Sequence, residues 1–317
     1  MYQKRKIRQE MKNNENKKEK QNQTNINWYP GHMAKTRRQI IEDLKLIDVV
    51  VEILDARIPI SSQNPDIQEI TKNKKKIILL NKSDLADEKE TAIWIKKYKE
   101  SGVIALSIDA NTGRGVQEVN RQIEKIMQEE LQENAKKGRV GRKIRVMILG
   151  IPNVGKSSLI NRMANKNSTI VGNKPGVTKQ KQWIRVNEKI ELLDTPGVLW
   201  PKLQSETVAL NLAYTGTIKD DVLDKVEVAY YLLKYLLENY LDNLVQRYKL
   251  EMSTIEKVMR NENLPQNENI MEIFYLIGRK RGAIVSGGQV DEKKVANIII
   301  EDFRTTKLGK ITLEKAR

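Results

Sequence analysis

The chain has no cysteine and a single histidine, His32, among its 317 residues. Disulfides, thiolate metal sites and cysteine nucleophiles are thereby excluded, and so is a metal centre built on several histidines. No apolar run reaches the roughly 18 residues of a membrane-crossing helix. The N-terminal segment is charged and polar, without the apolar stretch of a secretory signal. Acidic residues are in short supply too: 41 Asp and Glu stand against 57 Lys and Arg, for a formal net charge of +16. These absences give the expectation of a cytoplasmic protein with no membrane partner. The excess of positive charge favours a polyanion, RNA ahead of a merely cationic soluble surface, because Lys and Arg displace counterions from phosphate backbones. With 39% hydrophobic and 31% charged residues, the chain can bury one sizeable core and a second, smaller unit.

Texture changes along the chain suggest its organisation. Residues 1–25 are Lys, Asn, Gln and Glu with almost nothing apolar, a basic disordered arm. A helix over Lys35 to Leu46 follows, with Ile40, Ile41, Leu44 and Leu46 on its buried side. Apolar runs at Ile47 to Leu54, Ile77 to Leu80, Val103 to Ser107 and Ile144 to Leu149 read as strands buried on both faces. Helical stretches separate them at Gln63 to Asn73, Asp87 to Ser101 and Gly115 to Leu131, and Gln132 to Arg142 reads as a linker. Two further strands are expected at Gln182 to Val186 and Ile190 to Leu193. The alternation implies an α/β fold with a doubly wound, mostly parallel sheet over residues 26–201. From about Lys202 the pattern turns all-helical, with helices at Thr207 to Ala213, Val222 to Leu241, Ser253 to Asn261, Asn269 to Arg281 and Asp291 to Thr306. Strand signals return only in the last few residues. Residues 202–317 are therefore expected to form a C-terminal helical domain.

Two short strings carry the chemistry. Gly150-Ile151-Pro152-Asn153-Val154-Gly155-Lys156-Ser157 fits G-x-x-x-x-G-K-[ST] between a buried strand and a helix (Ser158 to Asn165). Its glycines let backbone N–H groups wrap phosphates, and the helix start adds its positive end. Asn153, Val154 and Gly155, with Lys156, Ser157 and Ser158, are the expected phosphate contacts. Lys156 is placed for the β- and γ-phosphates and Ser157 for Mg²⁺. Asn81-Lys82-Ser83-Asp84 directly follows a strand. The Asp84 carboxylate can accept from N1–H and the 2-amino group of guanine, donors that adenine lacks, while the Lys82 stem lies along the base.

Three weaker elements accompany them. Asp194-Thr195-Pro196-Gly197 ends a strand; Asp194 can approach Mg²⁺ and the Gly197 N–H the γ-phosphate, although an ordinary turn also fits that string. Asp109 and Ala110, after the strand ending at Ser107, could offer N–H groups to the guanine O6. Thr178, lying between the phosphate loop and Asp194, could complete the Mg²⁺ shell.

These elements resemble those of translation-factor-type GTPases, but in reversed order, the guanine reader preceding the phosphate loop. The sequence therefore resembles the circularly permuted P-loop GTPases. Trp28-Tyr29-Pro30-Gly31-His32-Met33-Ala34-Lys35 and Asp55-Ala56-Arg57-Ile58-Pro59 make it similar to the ribosome biogenesis GTPase A family of large-subunit assembly factors. That resemblance implies hydrolysis of GTP to GDP with Mg²⁺, and binding to a late 50S precursor through 23S rRNA and ribosomal proteins; a monomer off the ribosome is a separate expectation. It also implies stimulation by the ribosomal particle. No Gln follows Gly197 to orient water, and the family points to His32 as the catalytic group; a turn residue that packs or binds RNA is the other reading. Asn153 in the phosphate loop is associated with K⁺ use in related GTPases. Two other readings stand beside this one: a GTP-gated RNA-binding scaffold with incidental hydrolysis, and a permuted GTPase acting on another RNA. Arg279, Lys280, Arg281, Lys293, Lys294, Arg304, Lys307 and Lys310 are the candidate RNA contacts of the helical part, whereas Tyr230, Tyr231, Leu232, Tyr235 and Leu236 read as core.

Overall fold

A computed structural model describes residues 32–139, 141–164, 170–171, 183–193, 205–261 and 265–316. In chain order the first elements are α1 (His32–Leu44), β1 (Val49–Asp55), α2 (Pro65–Thr71), β2 (Lys75–Asn81), α3 (Glu88–Glu100), β3 (Ile104–Ser107), α4 (Val116–Ile126), α5 (Gln128–Lys136), β4 (Ile144–Gly150), α6 (Lys156–Met163), β5 (Ile170–Val171), β6 (Trp183–Arg185) and β7 (Ile190–Leu193). The helices that follow are α7 (Glu206–Tyr214), α8 (Lys225–Asn239), α9 (Leu241–Tyr248), α10 (Met252–Met259), α11 (Gln266–Lys280) and α12 (Glu292–Arg304), with a short 3₁₀ turn at Asp220–Val222.

The strands form one sheet in the order β3-β2-β1-β4-β7-β6-β5. The first five are parallel, and β6 and β5 join antiparallel at one edge. Alternation along β1 explains the layering, since successive side chains point to opposite faces. Val49, Val51 and Ile53 join Ile77, Leu79, Val146 and Ile148 in a core shared with α4 and α6. Val50 packs with Met147, Leu149 and Leu193 beneath α1, while Leu54, Ile78 and Leu80 pack with Trp94 of α3. Glu52, mid-strand and 1% exposed, survives because Gln68 donates to both its oxygens (2.8 and 2.6 Å) and Lys76 lies 3.5 Å away. Burial pushes its carboxyl above the usual range against those partners.

The core does not stop at the sheet. The same hydrophobic cluster continues through Leu212 and Ala213 of α7, Leu232 and Leu236 of α8, Ile273 and Phe274 of α11 and Ile299 and Phe303 of α12. The chain then returns. Ile311 N donates to Leu85 O (3.3 Å), Leu313 N to Arg57 O (2.8 Å) and Trp94 Nε1 to Glu314 O (2.8 Å). The Glu314 carboxylate accepts from Ile60 N, Ser61 N, Ser61 Oγ and Asn211 Nδ2, tying the loop after β1 to α7.

Several sequence expectations shift. Ile40 and Leu44 are buried, but Ile41 is exposed because only a stripe of α1 meets the sheet, and Leu46 is exposed in the turn after the helix ends at Leu44. The expected linker begins as helix: α5 runs to Lys136, with Glu129 and Glu130 in its first turn and Lys136 in its last, charges that suit the helix dipole. The expected helix Val222 to Leu241 starts later, at Lys225, where the Asp224 carboxylate caps Val226 N and Glu227 N. It ends at Asn239, and α9 follows as a separate helix. The last residues form no strand; their N–H groups bond to loops instead of a sheet edge. The basic arm and the segment Val198-Leu199-Trp200-Pro201 lie outside the described residues.

Candidate functional site

Parallel strands send all their C-terminal ends to one side, and a ligand crevice opens where the strand order reverses. Here the chain leaves β1 toward β2 and β3, then crosses back to β4 on the other flank, so the reversal lies between β1 and β4. The loops after β1, β2, β3 and β4 converge on that side, beginning at Asp55, Asn81, Ser107 and Gly150.

The loop after β4 is shaped for close approach. Gly150 has no room for a side chain, as a Cβ there would lie 2.7 Å from Ile53 O. Gly155 caps α6 at φ +100°, and its Cβ would fall 2.3 Å from Asn81 Nδ2. Asn153 also takes a positive φ, 60°. Val154 is buried beneath the loop, whereas Lys156 and Ser158 are half-buried and Ser157 is exposed. The Ser157 hydroxyl makes no hydrogen bond among the described residues. A loop packed too closely on Ile53 and Asn81 to take a Cβ at Gly150 or Gly155, with a hydroxyl at the start of the helix that holds no partner among the described residues, fits a phosphate chain and its Mg²⁺.

Asn81 joins this loop to the base-reading side. Its Nδ2 donates to Val154 O at 2.7 Å, and its Oδ1 accepts from Ala110 N at 2.9 Å. One buried side chain thus bolts together the loops after β2, β3 and β4. Ser83 anchors the second of these joints, its N and Oγ both donating to Ile108 O (3.2 and 2.8 Å). Asp84, half-buried, makes no side-chain hydrogen bond among the described residues.

The loop after β3 is already committed internally. Asp109 N donates to Arg114 O (3.0 Å), and Ala110 N is held by Asn81. The Asp109 carboxylate accepts from Asn111 N, Thr112 N and Thr112 Oγ1. Burial raises its pKa, but those bonds and Arg114 outweigh it, leaving the carboxyl below its usual range. A contact from this loop to O6 requires one of these N–H groups to change partner.

Asp55 and Arg57, quoted above only as part of a resemblance, prove central. Asp55 pairs in register with Asn81 across β1 and β2. It is 1% exposed, with Arg57 Nε donating to Oδ1 (2.9 Å), Arg57 Nη2 to Oδ2 (2.8 Å) and Lys82 Nζ 3.0 Å from Oδ2. Burial alone pushes this carboxyl up; Arg57 and Lys82 overcome it and hold the group well below the carboxylate range. The legible signal was an acid and a base two residues apart at the end of an apolar strand.

A pattern described as "50S ribosome-binding GTPase" matches residues 145–270, and one described as "RsgA GTPase" matches residues 67–204, spanning the guanine reader and then the phosphate loop. "Ribosome biogenesis GTPase A" of Priestia megaterium is 49% identical over 290 residues, covering 91% of this chain and 96% of that protein. The namesake in Bacillus cereus is 46% identical, covering 91% and 93%. The chain belongs to the ribosome biogenesis GTPase A family. It is a GTPase with circularly permuted motif order. The structure titled as GDP-bound TM YlqF is also similar, with a TM-score of 0.60 at 25% identity, covering 88% of this chain and 99% of that one.

Thr178, Asp194 and Gly197 lie outside the described residues, as does the side chain of His32, whose backbone opens α1. Asn153 Nδ2 donates to Gly216 O (3.1 Å), bringing the phosphate loop of this GTPase against the turn after α7. Among the candidate RNA contacts, Arg304 is engaged inside the protein, donating to Ala213 O, Tyr214 O and Asp220. Lys310 pairs with Glu88, and Lys307 lies 3.8 Å from Asp302. Arg279, Lys280, Arg281, Lys293 and Lys294 are exposed together, where α11 ends and α12 begins. Tyr230, Leu232 and Leu236 are core, with Tyr231 and Tyr235 packed at its margin.

Proposed function

We propose that this GTPase acts in assembly of the large ribosomal subunit, binding a 50S precursor through 23S rRNA and ribosomal proteins as a monomer, with GTP binding and hydrolysis governing its residence there. The observation that carries the nucleotide half of this reading is Asn81, which fastens the phosphate loop and the loop after β3 to the C-terminal end of β2, where the guanine-reading string begins. In this reading Asp84 and the Lys82 stem receive guanine, and the cradle from Asn153 to Ser158 receives the phosphates. Ser157 would hold Mg²⁺ together with Thr178 and Asp194, and the ion when bound neutralises charge on the β- and γ-phosphate oxygens. Lys156 stands beside them as a fixed cation. His32 is the group assigned to orient the attacking water. The ribosomal half rests on the net charge of +16, on the exposed basic cluster between α11 and α12, and on relatives named for ribosome biogenesis. Such a cluster fixes position on an RNA backbone and does not read sequence.

Co-sedimentation with ribosomal particles under a GTP analogue and under GDP tests the reading. Binding should favour the large-subunit precursor in the GTP-analogue state and fall by about 10³-fold between 50 and 200 mM salt if some six phosphates are contacted. Equal binding to both subunits, or binding indifferent to nucleotide, overturns it. Turnover measured with and without particles should rise with them, and an unchanged His32→Ala rate removes His32 from the chemistry. We further propose that Asn153 recruits K⁺, through a side chain that now bonds to Gly216; equal turnover in KCl and NaCl eliminates that role.

A further inference from the structure

The Asp55–Arg57 pair bonds to neither the phosphate loop nor Asp84 among the described residues. Its geometry is nonetheless directed at the base-reading loop. Register puts Asp55 beside Asn81, and the next residue along, Lys82, turns back with φ 58° so that its Nζ reaches Asp55 Oδ2 at 3.0 Å. A long, flexible stem is thereby held at both ends before any base arrives. Arg57 then locks Asp55 from the other side with two parallel N–H donors and its own backbone N–H (3.1 Å to Oδ1). Arg57 does not stand alone. Its guanidinium carbon sits 5.4 Å from the centre of the Phe303 ring on α12, and its carbonyl accepts from Leu313 N of the returning tail.

We propose that Asp55 and Arg57 are positioning residues for guanine recognition: they hold the Lys82 stem in the place where the base lands, and Phe303 and the tail of the C-terminal helical part support them. The helical part is then a structural component of the guanine site as well as the basic face described above. The inference rests on the reading of Asn81 to Asp84 as the guanine reader. Its physical basis is pre-organisation: a side chain immobilised in advance loses no rotamer freedom on binding, and the buried Asp55 carboxylate, already gripped by Arg57, gives the half-buried Lys82 a favoured position.

The test uses the full chain, with GDP and GTP as probes. Asp55→Asn should weaken GDP binding by about tenfold, the scale expected for freeing one long side chain. KM for GTP should rise by a similar factor while kcat at saturating GTP stays unchanged. Lys82→Gln should weaken GDP binding by about the same factor, and the double variant should bind no more weakly than Lys82→Gln alone, because Asp55 acts through Lys82. Arg57→Lys keeps the charge but loses the two-pronged grip, and it should show the same non-additivity with Lys82→Gln should Asp55→Asn fold poorly. Phe303→Leu should raise KM by about threefold without changing kcat. Independent, multiplying effects of Asp55 (or Arg57) and Lys82 overturn the proposal, as does a fall in melting temperature with KM unmoved. A wild-type chain that binds no guanine nucleotide would instead overturn the underlying reading.

Discussion

Asp84→Asn should lower affinity for GTP by about 10³-fold or more and confer binding of XTP. A carboxylate presents two acceptors to the N1–H and 2-amino donors of guanine. An amide presents one acceptor and one donor, so its NH₂ would face the 2-amino group donor to donor. Xanthine keeps N1–H but carries an oxygen at C2, and the amide matches that pair. Polar sites built to hydrogen-bond a donor commonly reject the mismatched analogue by about 10⁴-fold, so a three-decade change is a conservative expectation. The fold has no reason to change, because Asp84 is half-buried and its carboxylate holds no other group among the described residues. Turnover titrated with GTP and with XTP would show the exchange. A variant that keeps its GTP KM within about threefold would remove Asp84 from base recognition.

That expectation could be written from the string Asn81 to Asp84 alone, and the reason is local. A phosphate loop and a carboxylate that reads guanine need particular residue types at fixed spacing, and the strands before them advertise themselves as apolar runs. Reversing their order along the chain leaves the site intact because a parallel sheet gathers the ends of its strands irrespective of sequence order. The contacts that run between distant segments were not legible. Nothing near Asn81 announces that its amide is committed to Val154 and Ala110, 73 and 29 residues away. Nothing in the tail announces that Glu314 satisfies Ser61 and Asn211. Arg304 looked like a phosphate contact by composition, but helix geometry turns it inward onto the carbonyls that end α7. Charge counts report how many cations a surface holds, while their partners depend on packing.

Gly155→Ala should weaken binding of GDP and GTP by about 10²- to 10³-fold while lowering the melting temperature only modestly. An alanine at φ +100° is in a region that costs about 1–2 kcal/mol for an L side chain. Its Cβ would also lie 2.3 Å from Asn81 Nδ2, so either the loop or the amide must move. Moving Asn81 abandons its bond to Val154 O and strands a buried donor, about 1–3 kcal/mol. Moving the loop keeps the bond but opens the cradle. The loop is the softer of the two, since Gly155 is only half-buried and Asn81 is held through Ala110 and the strand register as well. The strain therefore relaxes by distorting the surface that wraps the phosphates, and it registers in nucleotide affinity more than in unfolding. Asn81→Ala removes the obstruction but also the bolt, so the double variant should be less impaired than the product of the two single effects. Calorimetry of GDP binding on the three proteins gives the cycle. If Gly155→Ala binds GDP as the wild type does, the seat of the phosphate loop on Asn81 has no part in holding the nucleotide.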